Sequence, residues 1–168
     1  EEVRKLGLDV SMILNTHGHA DHVGAVYPIK EATGAVYGIH RLDSELLMAE
    51  NSWISGILPD FRKPPVPDKY VYHNELIEID GITLRVIETP GHTPGSVCYY
   101  CGDAVFTGDT LFQGSIGRSD LPGGNGDLLV QNILSRLMSL PMNTRIFPGH
   151  GPASTIGSEK LTNPFLRG

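Results

Sequence analysis

The sequence predicts a mixed α/β protein of the α+β type, in which sheets are covered on the outside by helices. Three observations point there. Strand-like and helix-like segments alternate unevenly; four strand candidates follow one another between residues 75 and 107; and residues 127–139 carry an apolar face at helical spacing. A helical bundle would lack the strand run, and a pure β-sandwich would lack the amphipathic segment. With 168 residues, the chain can bury a core as a single domain without disulfides or structural metal.

Residues 1–6 read as the last turns of a helix, with Gly7 just past its end. A short apolar strand over 10–15 leads directly into Thr-His-Gly-His-Ala-Asp-His at 16–22. From 21 to 32 the apolar positions Val23, Val26, Tyr27 and Ile29 recur at helical spacing, interrupted by Pro28 and closed by Gly34. Residues 35–39 suggest a second strand, and 42–49 a helix with Asp43 and Ser44 at its start. Residues 51–68 hold four prolines together with Trp53 and Phe61, which reads as an ordered loop beside the site, with Trp53 a packing residue. Strands are expected at 75–79, 82–88, 96–101 and 104–107, the first pair joined by the hairpin signal Asp80-Gly81. The glycine-rich segment 114–126 lacks the lysine-serine ending of a phosphate cradle and reads as a loop. Asp127 is the expected cap of a helix running through Ser139, stopped by Pro141; a last strand at 144–147 and a terminal turn at 158–161 complete the chain.

A net charge of −6 with no basic run argues against a nucleic-acid partner, and the absence of an apolar run near eighteen residues argues against a membrane span. Cys98 and Cys101, three apart on a strand, face opposite ways, which disfavours a disulfide or joint chelation and fits a reducing cytoplasm. The chain starts at Glu1 without methionine, which suggests a fragment.

Three imidazoles and a carboxylate within six residues, His17, His19, Asp21 and His22, form half of a metal site. Mixed nitrogen and carboxylate donors suit zinc, iron or manganese, whereas calcium takes oxygen alone. His92 in Thr-Pro-Gly-His-Thr-Pro-Gly, Asp109 in Phe-Thr-Gly-Asp-Thr and His150 in Phe-Pro-Gly-His-Gly-Pro each follow a strand and a glycine, which lets a sharply bent backbone aim side chains at one point. Five histidines and two aspartates exceed what one tetrahedral ion uses and fit two ions sharing a bridge. Arg118 and Asp120 read as an ion pair first and as a substrate-carboxylate site second. His40 and His73 lie outside every glycine-ligand context and read as ordinary histidines without metal.

These motifs resemble the ligand set of the metallo-β-lactamase superfamily, in its order and over most of the chain. Thr-Pro-Gly-His-Thr-Pro-Gly-Ser at 89–96, Gly-Asp-Thr-Leu-Phe at 108–112, Gly-Arg-Ser-Asp at 117–120 and Pro-Gly-His-Gly-Pro at 148–152 are most similar to glyoxalase II proteins and their small bacterial relatives. The resemblance implies a four-layer αββα sandwich with the site on one edge between the sheets. It implies that His17, His19 and His92 hold one divalent metal, that Asp21, His22 and His150 hold the other, and that Asp109 bridges them. Zinc is the leading expectation, with iron or manganese as alternatives. The implied activity is hydrolysis of a small-molecule thioester such as S-2-hydroxyacylglutathione by a hydroxide bridging the two ions, with Asp21 accepting a proton.

Departures from the family narrow this expectation. True β-lactamases place cysteine or serine where this chain has Asp109, and flavodiiron relatives place glutamate where it has His19. Persulfide dioxygenases, which use a single iron, share many of the motifs and are the alternative chemistry; a metal-binding domain without turnover is the alternative outside enzymes. A tRNA-processing phosphodiesterase shares the seven ligands but is disfavoured by the negative charge. Glyoxalase II proteins carry roughly forty residues before the position of Glu1, judged against ordinary strand and helix lengths, which implies missing N-terminal strands and an uncovered sheet edge. No counterpart follows residues 163–165 for their glutathione-binding helical region, so the thiol carrier stays open.

Overall fold

A computed structural model describes residues 5–49 and 61–167. Trp53 and most of the expected proline-rich loop lie outside the described residues, as do residues 1–4, where a helix was expected. Gly7 has φ +63°, the left-handed conformation that suits a residue just past a helix end.

Two sheets form the centre. Strands β1 (Met12–Leu14), β2 (Val36–Ile39) and β3 (Lys69–Tyr70) make a parallel sheet in that order. Strands β4 (Leu76–Ile79), β5 (Ile82–Glu88), β6 (Val97–Cys101), β7 (Ala104–Gly108), β10 (Arg145–Pro148) and β11 (Ser154–Thr155) make a second sheet in the order β11-β10-β7-β6-β5-β4. Its pairs are antiparallel except β7 with β10. Between β7 and β10 comes a small hairpin, β8 (Leu111–Phe112) with β9 (Ser115–Ile116). Asp80 and Gly81 have φ +48° and +82°, so the β4–β5 turn is of the primed kind whose twist matches the strands it joins.

Helices cover the outer faces. These are α1 (Ala20–Val23), α2 (Val26–Thr33) and α3 (Arg41–Ala49) on the first sheet, and α4 (Gly126–Asn132), continued by a π-helical turn over Ile133–Leu137, on the second. Helix α5 (Ile156–Thr162) and a 3₁₀ turn at Pro164–Leu166 close the described chain. Three apolar clusters separate the four layers. Val23, Val26, Tyr37, Ile39 and Leu47 pack helices on the first sheet. Val71, Ile77, Val86, Val97 and Tyr99 fill the space between sheets. Ile87, Cys98, Val105, Leu129, Ile133 and Leu137 join the second sheet to its helix. Alternation on β5 and β6 explains the split: Val86, Val97 and Tyr99 face inward between the sheets, while Ile87 and Cys98 face the helix. Cys98 and Cys101 are both free thiols.

Some local expectations are corrected. The helix expected over 21–32 is two helices, broken at Gly24 and Ala25. Pro28 is the third residue of α2, in the first turn, where a missing N–H forfeits no intrahelical bond. The cap of α4 is Asn125, whose side chain accepts from the Leu128 amide, and Asp127 sits in the first turn. The terminal turn is a full helix, capped by Thr155. Strands β3, β8, β9 and β11 are too short to leave a periodic signature, and β9 lies inside the glycine-rich segment expected to be a loop. Among the described residues the small sheet ends at β1, and a groove of about 330 Å³ beside it is lined by Leu14, Leu84, Phe106 and Phe147.

Candidate metal centre

Every sequence-selected ligand leaves the C-terminal end of a strand. The segment 16–22 follows β1, His92 follows β5, Asp109 follows β7, and His150 follows β10. Strands β5 and β7 both run antiparallel to β6, and β7 is parallel to β10, so their C-terminal ends lie along one edge of the second sheet. The first sheet is tied to that edge where the Val97 amide donates to the Thr16 carbonyl.

The seven side chains converge. His92 Nε2 lies 3.3 Å from His17 Nε2, and His19 packs edge-on against both rings with centroids 4.9 and 4.6 Å away. His150 Nε2 lies 3.2 Å from His22 Nε2 and 3.2 Å from Asp21 Oδ2. Asp109 stands between the groups: Oδ1 is 3.3 Å from His22 Nε2, while Oδ2 is 3.7 Å from His92 Nε2 and 3.6 Å from His150 Nε2. Among the described residues, three sets have donor atoms close enough to share an ion: His17, His19 and His92; His17, His22 and Asp109; and Asp21, His22 and His150.

Metal ions fit this arrangement on two grounds. Ligands about 2.0–2.1 Å from a tetrahedral ion stand about 3.3 Å from one another, which matches the spacings above. Asp109 Oδ1 is buried without a hydrogen-bond partner of acceptable geometry, an expense that a bound cation removes.

The two sides differ in access. His17 is 1% exposed and His92 is equally enclosed, whereas the side chains of Asp21 and His150 are 57% and 58% exposed. The centre therefore has a closed floor and an open face on the side of Asp21 and His150. Burial depresses His17 strongly, helped by the neighbouring histidines, and lowers His19 to about 4. Both are neutral imidazoles at ordinary pH, with lone pairs free for a metal. Burial also works against a charged His22, but Asp109 and Asp21 outweigh it and raise the group. Burial pushes Asp109 up, and the histidines around it, His22 foremost, more than reverse this and hold it low.

Several residues that hold the ligands escaped the sequence reading. His92 Nδ1–H donates to the Arg118 carbonyl at 2.7 Å, which fixes the tautomer and points a free Nε2 inward. Thr16 Oγ1 contacts His17 Nδ1 at 3.2 Å, and Asn15 Nδ2 donates to the His22 carbonyl at 2.8 Å. The Arg118 guanidinium makes a two-pronged, exposed pair with Asp120, at 2.8 and 2.7 Å, so its main chain is what touches the centre. Asp43 is 0% exposed and accepts from both ligand loops. The signal for it was an acid four residues before Leu47 on the buried stripe of α3, a position that demands partners. His40 donates to Glu88 at 3.1 Å, and His73 Nδ1 accepts from the Glu88 amide.

A centre of this kind, on one edge of an αββα sandwich, defines a class of metal-dependent protein. The family model described as metallo-beta-lactamase superfamily matches residues 1–150, and the chain belongs to that superfamily. Among curated relatives, the Bacillus subtilis (strain 168) protein "Probable metallo-hydrolase YqgX" is 38% identical, over 99% of this chain and 80% of that protein. "Hydroxyacylglutathione hydrolase GloC" of Haemophilus influenzae is 37% identical, again over 99% and 80%. Among solved structures, BLEG-1, described as a B3 metallo-beta-lactamase, superposes with a TM-score of 0.90 at 37% identity, over 99% of this chain and 82% of its own. TTHA1623 in a di-iron-bound form gives 0.87 at 43% identity, over 98% and 82%. ETHE1 from Myxococcus xanthus gives 0.79 at 30% identity, over 97% and 65%. Among the described residues, no helix is long and apolar enough to cross a membrane.

Proposed function

We propose that the chain is a binuclear metal hydrolase of a small thioester of the S-2-hydroxyacylglutathione kind. The observation that carries this reading is the placement of Asp109, with one oxygen facing His22 and the other facing both His92 and His150. In this reading His17, His19 and His92 hold one divalent cation, Asp21, His22 and His150 hold the other, and Asp109 is shared. Two cations held by these residues would acidify water and polarise a carbonyl, which would supply a nucleophile and an electrophile without serine or cysteine. The 37% identity to a protein named hydroxyacylglutathione hydrolase supports the thioester.

The residues of the chain supply the rest. Buried His17 and His92, with half-buried His19, enclose one side, while substrate enters from the open face between Asp21 and His150. Asp21, on that face, would accept the proton of the attacking water as the carbon–oxygen bond forms and return it to the thiolate that leaves when the carbon–sulfur bond breaks. The Arg118 guanidinium, on the loop that orients His92, is our candidate for a substrate carboxylate, which it would take in exchange for Asp120. Zinc is the leading cation.

A second reading, oxygenation of a glutathione persulfide at a single iron, draws on the suitability of imidazole and carboxylate for iron and on the 30% identity to ETHE1 from Myxococcus xanthus. Metal analysis combined with thioester, lactone and β-lactam substrates on one preparation separates these chemistries. Two ions per chain with thioester turnover supports the leading reading; one iron per chain with oxygen uptake displaces it. Asp109→Ala is expected to lose several kcal/mol of transition-state stabilisation, because both ions lose a ligand. Full metal content and unchanged thioester turnover in that variant would refute the assignment.

A further inference from the structure

We propose that Asp43 is the positioning residue for one of the two metal sites, the one formed by His17, His19 and His92, by locking together the two loops that carry these histidines. This rests on the binuclear reading above. Asp43 belongs to the first turn of α3 and reaches no ligand itself. Its Oδ2 accepts from the Gly18 amide at 2.7 Å, between His17 and His19 in the chain. The same oxygen accepts from the Thr93 hydroxyl at 2.7 Å, directly after His92. Its Oδ1 accepts from the Gly95 amide at 2.6 Å. One buried carboxylate thus takes three hydrogen bonds from the two segments, separated by more than seventy positions in sequence, that supply all three donors of one set.

The proton directions are determined. Thr93 gives its hydroxyl hydrogen to Asp43, so at 2.7 Å it must accept from Ser96 Oγ, which in turn accepts from the Thr93 amide at 3.1 Å. The 93–96 turn is thereby closed on itself before it is tied to α3. Close approach to Asp43, to its main chain at Gly18 and to its carboxylate at Gly95, accounts for glycine at both amides. A β-carbon at Gly18 would lie 2.9 Å from the Asp43 carbonyl oxygen, and one at Gly95 would lie 2.6 Å from Oδ1. The other set, Asp21, His22 and His150, receives nothing from Asp43; its backbone support comes from Asn15 on the His22 carbonyl.

The asymmetry gives the test. Metal-free protein is titrated with zinc against a chromophoric chelator, comparing wild type with Asp43→Asn, Thr93→Val and Thr93→Ser. Asparagine keeps the shape but must present an amide donor to a backbone donor. Asp43→Asn is expected to weaken one of two binding steps by 10–100-fold, the range typical of residues that orient ligands, and to leave the other step within a few-fold. Thr93→Val should weaken the same step by less, and Thr93→Ser, which keeps the hydroxyl, should restore it. A merely structural role would lower the metal-free melting temperature and leave the difference between the two steps unchanged, and that result would overturn the proposal. If Asp43→Asn does not fold, Thr93→Val decides: two wild-type binding steps in that variant overturn it. Wild type that takes up fewer than two ions would instead strike the binuclear reading itself, so the two failures are distinguishable.

Discussion

His17 and His19 make the metal-free centre sensitive to acid in a direction that can be worked out. Burial holds His19 near 4 and His17 lower still, against an ordinary value of 6.5. Between pH 6.5 and about 4 the unfolded chain therefore binds protons that the folded chain refuses, and stability falls as pH falls through that window. His22 has the opposite sign: its raised value gives stability that is present below 6.5 and is lost as pH rises through the folded value. Two depressed groups against one raised group predict a net loss on acidification from pH 7 to 5. Thermal melts in chelator at several pH values check it, and a midpoint that rises on acidification would contradict the burial argument. At this scale the ligands were legible because they stand in short, dense motifs, five of the seven beside a glycine, and carboxylate and imidazole have few other uses there. Asp43 was not legible as part of the centre, because an acid at a helix start has an ordinary reading as a capping or dipole-favoured residue, and only its burial among loop amides separates the two.

The long strands were legible, since apolar and β-branched runs over β4 to β7 and the Asp80-Gly81 turn are local properties. The helix over 127–139 was legible in its apolar face and not in its start. Asn125 caps it while its own amide donates to the Gly91 carbonyl, a contact made by the fold. Helix α4 in fact braces the turn that carries His92. The Asn132 side chain donates to the Pro90 carbonyl at 2.9 Å, and a β-carbon at Gly91, where φ is +140°, would lie 2.5 Å from the Leu129 backbone. Gly91→Ala must therefore push the helix start away from the turn. It is expected to lower zinc affinity as well as the melting temperature. Asn125→Ala removes a cap at a cost of about 1 kcal/mol and should leave affinity within a few-fold. Chelator competition on the two variants checks the contrast; equal affinities would show that the brace does not reach His92.

Across the whole molecule the ligands join layers that also meet through the apolar cluster between the sheets and through hydrogen bonds such as Val97 to Thr16 and Gly95 to Asp43. His17, His19, Asp21 and His22 hang from the first sheet, while His92, Asp109 and His150 hang from the second. This arrangement could be anticipated only through the family resemblance, because the sequence of each strand says nothing about which sheet it joins. It has a thermodynamic consequence. Ions that bind the folded chain and not the unfolded one stabilise it by RT ln(1 + [L]/Kd), about 4.1 kcal/mol at a thousand-fold excess over Kd. For a domain of this size each kcal/mol moves the melting temperature by about 2–4 °C. Chelation should lower the midpoint by roughly 10 °C, and the midpoint should climb with free zinc instead of saturating at stoichiometry. The effect belongs to the seven ligands together, so His92→Ala, which removes a donor from the second sheet, should shrink the shift even with the first-sheet motif intact. A midpoint indifferent to chelator would mean that the apolar cluster and the hydrogen bonds between the sheets hold them together and that the donors, though assembled, take no ion.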